Sequence, residues 1–334
     1  MPAPPRPRTP ASRLAQVRAR LDLPTVKRAA GRLDGRHRSI FTGHGQDFDD
    51  QVEYRPGDDV KDIDWKSSAR AGRPIIRRFV RESDLTVVLA VDTGRTMAAT
   101  APSGVPKAQV AMFAADVVAY LARSRGDQVA LVAGDAERLD QVPARSGTAH
   151  LEMMLRRLAA QLSGPGPAEP GGRGPTTGPA TAPASTTARG AGTVPGRAPA
   201  SDLGLVLDRV LGWARRRSLV VVITDEARPR PEHEGALRRL RTRHDVLVIA
   251  VADAMPTRPG IGPTDDVDGG PVLPAFLRDD PVVHAEAAAV AERRRDDVRA
   301  MLLRRGVEHV VVQGEDDLVD ALAELFERLR RARR

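Results

Sequence analysis

Short runs of Val, Leu, Ile and Ala recur along this chain, and amphipathic stretches separate them. Leu85 to Val91 (LTVVLAV) is apolar at almost every position, which predicts a strand buried on both faces. It ends on a carboxylate, Asp92, and a tight turn follows with Gly94 at its centre and the hydroxyls of Thr93 and Thr96 beside it. From Val105 to Ser124 the periodicity changes to that of a helix, with Val110, Phe113, Ala114, Val117, Val118 and Leu121 on one face. A strand is predicted over 128–133 and a weaker one over 138–142, joined by a turn at Gly134 to Glu137. Helix 149–162 then begins behind Thr148 as its cap. Ser201 is read as the cap of a helix over 202–216, and Leu219 to Thr224 (LVVVIT) as a central strand that ends on Asp225. Helix 232–243, strand 245–252 ending at Asp253, helix 284–305, strand 307–313 and helix 315–331 complete the pattern. Strands alternating with helices predict an α/β fold, a doubly wound, mostly parallel six-stranded sheet.

Upstream the pattern is different. Residues 1–22 form a basic, Pro-rich tail, and 23–84 an N-terminal extension in which Leu23 to Leu33 reads as a short helix with Pro24 in its first turn. Asp47 to Asp64 carries eight acidic residues; Trp65 follows, and then Lys66, Arg70, Arg73, Arg77, Arg78 and Arg81. Two readings stand for these blocks: a loop whose opposite charges satisfy one another, or a docking surface; Trp65 fits either, as a loop anchor or a partner contact. Pro74 to Val80 alternates as a strand does. Downstream, 85–334 is one domain interrupted at 163–200, where 17 of 38 residues are Gly or Pro and no Leu, Ile or aromatic occurs. That segment has too little apolar surface to offset the entropy of ordering it, and is expected to be disordered. Asp253 to Pro281, rich in Gly, Pro and Asp, is expected to be a long irregular loop.

Composition narrows the functional classes. Of 334 residues 41% are hydrophobic, enough for a sizeable core, but only 3% are aromatic, so that core is aliphatic. With no cysteine there is neither disulfide nor thiolate metal site. The longest apolar runs have the length of strands and fall well below the roughly 18 residues of a membrane span. The N-terminus lacks the apolar region of a secretory signal, so a cytoplasmic protein is expected. A net charge of +8 raises nucleic-acid binding as an alternative. Arginines are interleaved with acids throughout, however, no aromatic platform accompanies them, and much of the excess lies at the two ends.

No phosphate-binding glycine loop with Lys-Ser or Lys-Thr, no GxGxxG after a strand, no HExxH and no GxSxG is present. Asp92 after the first strand raises a second alternative, a metal-assisted phosphoesterase with Asp92 and Asp225. A phosphatase of the D-x-D-x-T kind needs an acid two residues on, and the run here is D-T-G-R-T with Gly94 in that place. Strand-end carboxylates with helix-capping hydroxyls between them also suit Mg²⁺, which prefers oxygen ligands.

The run from Phe48 to Arg70, with Tyr54, Arg55, Gly57, Asp58, Ile63, Asp64, Trp65, Ala69 and Arg70, resembles the signature of the domain of unknown function 58 family. Those are von Willebrand factor A-like proteins that occur with MoxR-type AAA+ ATPases. The likeness continues through Phe79 and Glu82 into the loop Asp92 to Met97, which is similar to D-x-S-x-S. The resemblance implies a metal-ion-dependent adhesion site formed by Asp92, Thr96, Ser201 and Asp225, with Gly94 standing where a ligand hydroxyl is usual. It also implies a non-enzymatic adaptor that works with a MoxR-type ATPase and a client protein in chaperone-like assembly or maturation. A partner's carboxylate would complete the Mg²⁺ coordination. Tyr54, Arg55, Gly57, Asp58, Asp59, Asp64, Trp65 and Arg70 would form a second recognition surface or a brace for the first strand. Many family members carry membrane spans ahead of the signature; none is expected here.

Overall fold

The computed structural model describes residues 47–53, 63–80, 85–163, 198–257, 267 and 273–332. Tyr54, Arg55, Gly57, Asp58 and Asp59, the tail 1–22, the helix expected at 23–33 and most of 163–200 lie outside them.

Two pieces of structure were not expected. The acidic run forms a strand, β1 (Asp47–Glu53), antiparallel to β2 (Ile75–Val80). Between them the start of the basic stretch is a helix, α1 (Trp65–Ala71). Long-range pairing with β2 overrode the low strand propensity of Asp in β1. Asp64 sets the start of α1: its carboxylate accepts from the backbone N–H of Lys66 and of Ser67, both at 3.1 Å, and from the Ser67 hydroxyl at 2.8 Å. Gly72, at φ 67°, ends the helix in the left-handed region that a residue without Cβ occupies most readily.

The main sheet holds β3 (Thr86–Asp92), β4 (Gln128–Gly134), β5 (Leu139–Arg145), β6 (Ser218–Asp225), β7 (Asp245–Val251) and β8 (Glu308–Val312) in the order β5-β4-β3-β6-β7-β8. Every neighbouring pair is parallel except β4–β5. The expected doubly wound, mostly parallel six-stranded α/β sheet is therefore observed. Pro143 sits in edge strand β5, where a missing N–H is tolerated. Buried Asp135 shapes the β4–β5 turn by accepting from the N–H groups of Glu137 and Arg138 at 2.9 and 2.8 Å.

Both faces of the sheet are covered. Val87, Leu89 and Val91 of β3, with Val221 and Ile223 of β6, face α2 (Lys107–Ser124), α3 (Thr148–Leu162) and a C-terminal helix at Glu315–Ala332. Val88, Ala90, Val220 and Val222 face α4 (Leu203–Trp213) and α5 (Glu234–Arg243) on the other side. A four-residue helix, α6 (Ala275–Arg278), and α7 (Pro281–Arg304) precede β8, and the helix at Glu315–Ala332 is α8. Alternate side chains of each central strand thus enter different cores, which is why these strands are apolar throughout rather than in every second position.

Helix boundaries moved where caps decide them. The N-cap of α4 is Asp202, which accepts from Leu205 N–H at 3.0 Å, and not Ser201. Thr148 is the first residue of α3 and Gly147 its cap. Helix α7 starts at Pro281 behind Asp280, whose carboxylate accepts from Val282 N–H at 2.7 Å.

Candidate functional site

The chain enters the sheet at β3, winds outward to β4 and β5, and then returns to β6 on the other side of β3. The order of strands reverses between β3 and β6, and in open α/β sheets the crevice beyond that point is where ligands bind. Asp92 ends β3 and Asp225 ends β6, so the topology brings both carboxylates to this crevice.

Asp92 is fully buried. Its Oδ1 accepts from Gly94 N–H at 3.0 Å and its Oδ2 from the Thr224 hydroxyl at 3.3 Å, while the Arg228 guanidinium lies 3.9 Å away. Burial raises its pKa above the usual carboxylate range, against the pull of the Gly94 hydrogen bond and Arg228. Asp225 is also buried; its Oδ1 accepts from Ala227 N–H at 2.7 Å. Thr96, in the short 3-10 turn after β3, and Ser201, just before α4, bring their hydroxyls within 2.6 Å of each other. The Ser201 hydroxyl serves this contact and a hydrogen bond with the Asp92 carboxylate, and is not the helix cap expected of it. All four residues read from the sequence as a discontinuous site gather at one edge of the sheet.

Two further residues complete the cluster. Lys107, the first residue of α2, is fully buried, and its ammonium donates to Asp225 Oδ2 and, at 2.6 Å, to Asp253 Oδ1. Burial opposes its charge, but the carboxylates of Asp225 and Asp253 outweigh that and hold its pKa above the ordinary lysine value. The sequence carried a signal for it: only four of the 52 basic residues are lysines, and Lys107 is the one that begins a strongly apolar helix. Asp253, beyond β7, has a side chain 41% exposed and opens the cluster to solvent.

The crossing segment closes the other side. Arg95 N–H donates to Pro199 O at 2.8 Å and Ala136 N–H to Ala200 O at 2.9 Å, so residues 199–201 lie across the turns after β3 and β4. A Cβ on Gly94 would stand 2.2 Å from Ser201 Cα and 2.4 Å from its Oγ. Glycine at 94 is thus a requirement of the close approach of Ser201.

These contacts test the fit of Mg²⁺. Octahedral Mg²⁺ needs oxygen ligands at about 2.0–2.1 Å. Gly94 supplies no hydroxyl, and the Lys107 ammonium sits on Asp225, where it repels a second cation. Among the described residues no three carboxylate or imidazole groups come together as metal ligands do. The residues present do not fit the ion.

In the N-terminal segment, Asp64 is buried and committed to capping α1, whereas Trp65 is 70% exposed and Arg70 is exposed on the same helix. Several arginines of the main domain face acids: Arg157 meets Asp140, Arg239 meets Asp208, Arg295 meets Glu226, Arg305 meets Glu234 and Arg328 meets Glu308. Among the described residues no helix is long and apolar enough to cross a membrane.

One pH effect follows. Burial and the Asp225 carboxylate push the Asp253 pKa up to about 6, against the pull of Lys107. Between about pH 4 and pH 6 the folded protein then holds a proton that the unfolded chain has released. Stability contributed by this group is present at low pH and falls as pH rises through that window. Solvent screening of a partly exposed side chain keeps the change small. Urea denaturation across that range should show a steeper loss with rising pH for the wild type than for Asp253→Asn; parallel profiles would contradict the assignment.

The fold and the strand-end cluster define an α/β protein with a carboxylate–hydroxyl–ammonium group at the switch point of its sheet. Residues 50–268 match the family described as Protein of unknown function DUF58, and the chain belongs to that family. It is 28% identical over 296 residues to the uncharacterized protein Rv1480 of Mycobacterium tuberculosis, spanning 86% of this chain and 80% of that one. The uncharacterized protein Mb1516 of Mycobacterium bovis matches to the same extent. Among solved structures, it is similar to a conserved hypothetical protein, BatB, of Bacteroides thetaiotaomicron, with 14% identity and a TM-score of 0.42, over 74% of this chain and 99% of that one. A von Willebrand factor type A structure from Catenulispora acidiphila has 11% identity and a TM-score of 0.39, over 75% of this chain and 44% of that one.

Proposed function

We propose that this protein is a non-enzymatic von Willebrand A-like adaptor of the cytoplasm, which presents the C-terminal edge of its sheet to partner proteins. The observation that carries the reading is the way Asp92 and Asp225 are used. Each oxygen of these buried carboxylates accepts from a protein donor, and a guanidinium or an ammonium faces each, so both are held within a structural network rather than presented to a substrate. What reaches solvent at this edge is a rim formed by the Thr96 and Ser201 hydroxyls and Asp253, groups suited to recognition. Trp65 on α1 supplies an exposed aromatic of the kind that anchors interfaces, and forms a second contact. By family resemblance the partner is a MoxR-type AAA+ ATPase that acts with the adaptor on a client protein.

The test is affinity capture of the tagged full chain from its native cells, with the captured proteins identified by mass spectrometry. An AAA+ ATPase should be recovered with the wild type. Its recovery should drop roughly tenfold or more for Thr96→Lys, which places a long charged side chain on the rim, and for Trp65→Ala. Absence of any AAA+ ATPase, or equal capture by both variants, would reject the adaptor reading.

A further inference from the structure

The group least expected at this sheet edge is Lys107. A lysine in the first turn of the 18-residue helix α2 places a cation at the positive end of the helix dipole, where acids are favoured. Its ammonium is also fully buried, which disfavours charge on its own. Both penalties are overcome because the ammonium lies between the carboxylates of Asp225 and Asp253. The rest of the cluster is balanced in the same manner. The Arg228 guanidinium, itself buried, faces Asp92, and Arg295 donates to Glu226 at 2.9 Å.

We infer that Lys107 is the resident cation of this site: its tethered ammonium takes the place a divalent ion would hold, and makes the site independent of divalent metals. Three features support this. The ammonium takes Asp225 Oδ2 while Ala227 N–H takes Oδ1, so a positive charge already faces this carboxylate and repels a second cation. Gly94 lets Ser201 approach until no side chain, and so no ligand hydroxyl, can stand at position 94. The remaining hydroxyls are already engaged, that of Thr96 with Ser201 at 2.6 Å and that of Ser201 also with the Asp92 carboxylate. The inference concerns the charge of the site and holds whichever partner docks there, so metal binding and partner capture are separate readouts.

The experiment is a Mn²⁺ titration of the full chain, followed by paramagnetic broadening of its amide resonances. In the wild type no selective, saturable broadening is expected at Thr96, Ser201 and Ala227. In Lys107→Ala, which removes the ammonium and leaves room beside Asp225, selective broadening at those amides should appear, and Mg²⁺ should reverse it. Saturable broadening at the same amides in the wild type overturns the inference, and this arm needs no variant to fold. A folded Lys107→Ala that also stays silent overturns it too, since the lysine would then hold no metal's place. If Lys107→Ala does not fold alone, refolding on addition of Mn²⁺ supports the inference, and failure to refold with Mn²⁺ overturns it.

Discussion

Lys107→Met is expected to destabilise the protein by about 3 kcal/mol or more, because it removes one partner of a buried ion pair and keeps the other. Methionine matches the length of the lysine stem, so the packing of that stem is largely preserved and the loss reports on charge. Asp225 would be left buried with only Ala227 N–H to hold it. A carboxylate in that position takes up a proton rather than remain charged. The defect should therefore grow as pH rises, since the folded variant must then ionise Asp225 without its counterion. Adding Asp225→Asn should restore most of the stability, as both charges are then gone. Urea midpoints of the two single variants and the double variant form a cycle that isolates the pair. A loss under about 1 kcal/mol in Lys107→Met would show that the pair contributes little beyond a surface ion pair.

Gly94→Ser carries the second large effect. The substitution gives D-x-S-x-T, with a hydroxyl at each position of the D-x-S-x-S pattern, and by sequence pattern alone it would look like a repair. The geometry gives the opposite expectation. The new Cβ would overlap the Cα and nitrogen of Ser201, at 2.2 and 2.5 Å, and these are backbone atoms that cannot rotate away. Residues 199–201 must then lift from the turns after β3 and β4. That breaks the hydrogen bonds from Arg95 to Pro199 and from Ala136 to Ala200. Overpacking of this kind costs roughly 1–3 kcal/mol, and the displaced backbone adds to it. Thermal denaturation should show the loss, and hydrogen exchange should quicken at the amides of Arg95 and Ala136. Unchanged protection at both amides would show that the crossing segment can accommodate the side chain. The shorter Gly94→Ala should cause the same displacement, because the clash begins at Cβ.

Both effects come from contacts between residues far apart in the chain, and this marks the limit of what the sequence discloses. The alternation of apolar runs with amphipathic stretches was sufficient for the α/β fold, because a strand buried on both faces must be apolar throughout and a crossover helix must be apolar on one side only. Leu85 to Val91 and Leu219 to Thr224 were legible as central strands for that reason, and their terminal carboxylates were legible as a pair. Helix ends were less legible, since Ser201 and Asp202 are both good caps and only the contact with Thr96 decides which one serves. The acidic run at β1 shows no strand pattern of its own because its strand character comes from pairing with β2, some 25 residues downstream.

What the sequence determined by itself was thus the sheet, the family, and the placement of Asp92 and Asp225 at strand ends. The tertiary structure alone decided their electrostatic state. Lys107 and Asp253 are separated from Asp225 by more than a hundred and by nearly thirty residues, and no local pattern links them. An ammonium reaches Asp225 because α2 begins beside the end of β6, and Ser201 reaches Gly94 because the chain crosses above the sheet before entering α4. Local propensity sets each element, but which charges meet at the sheet edge depends on how the elements are arranged around it.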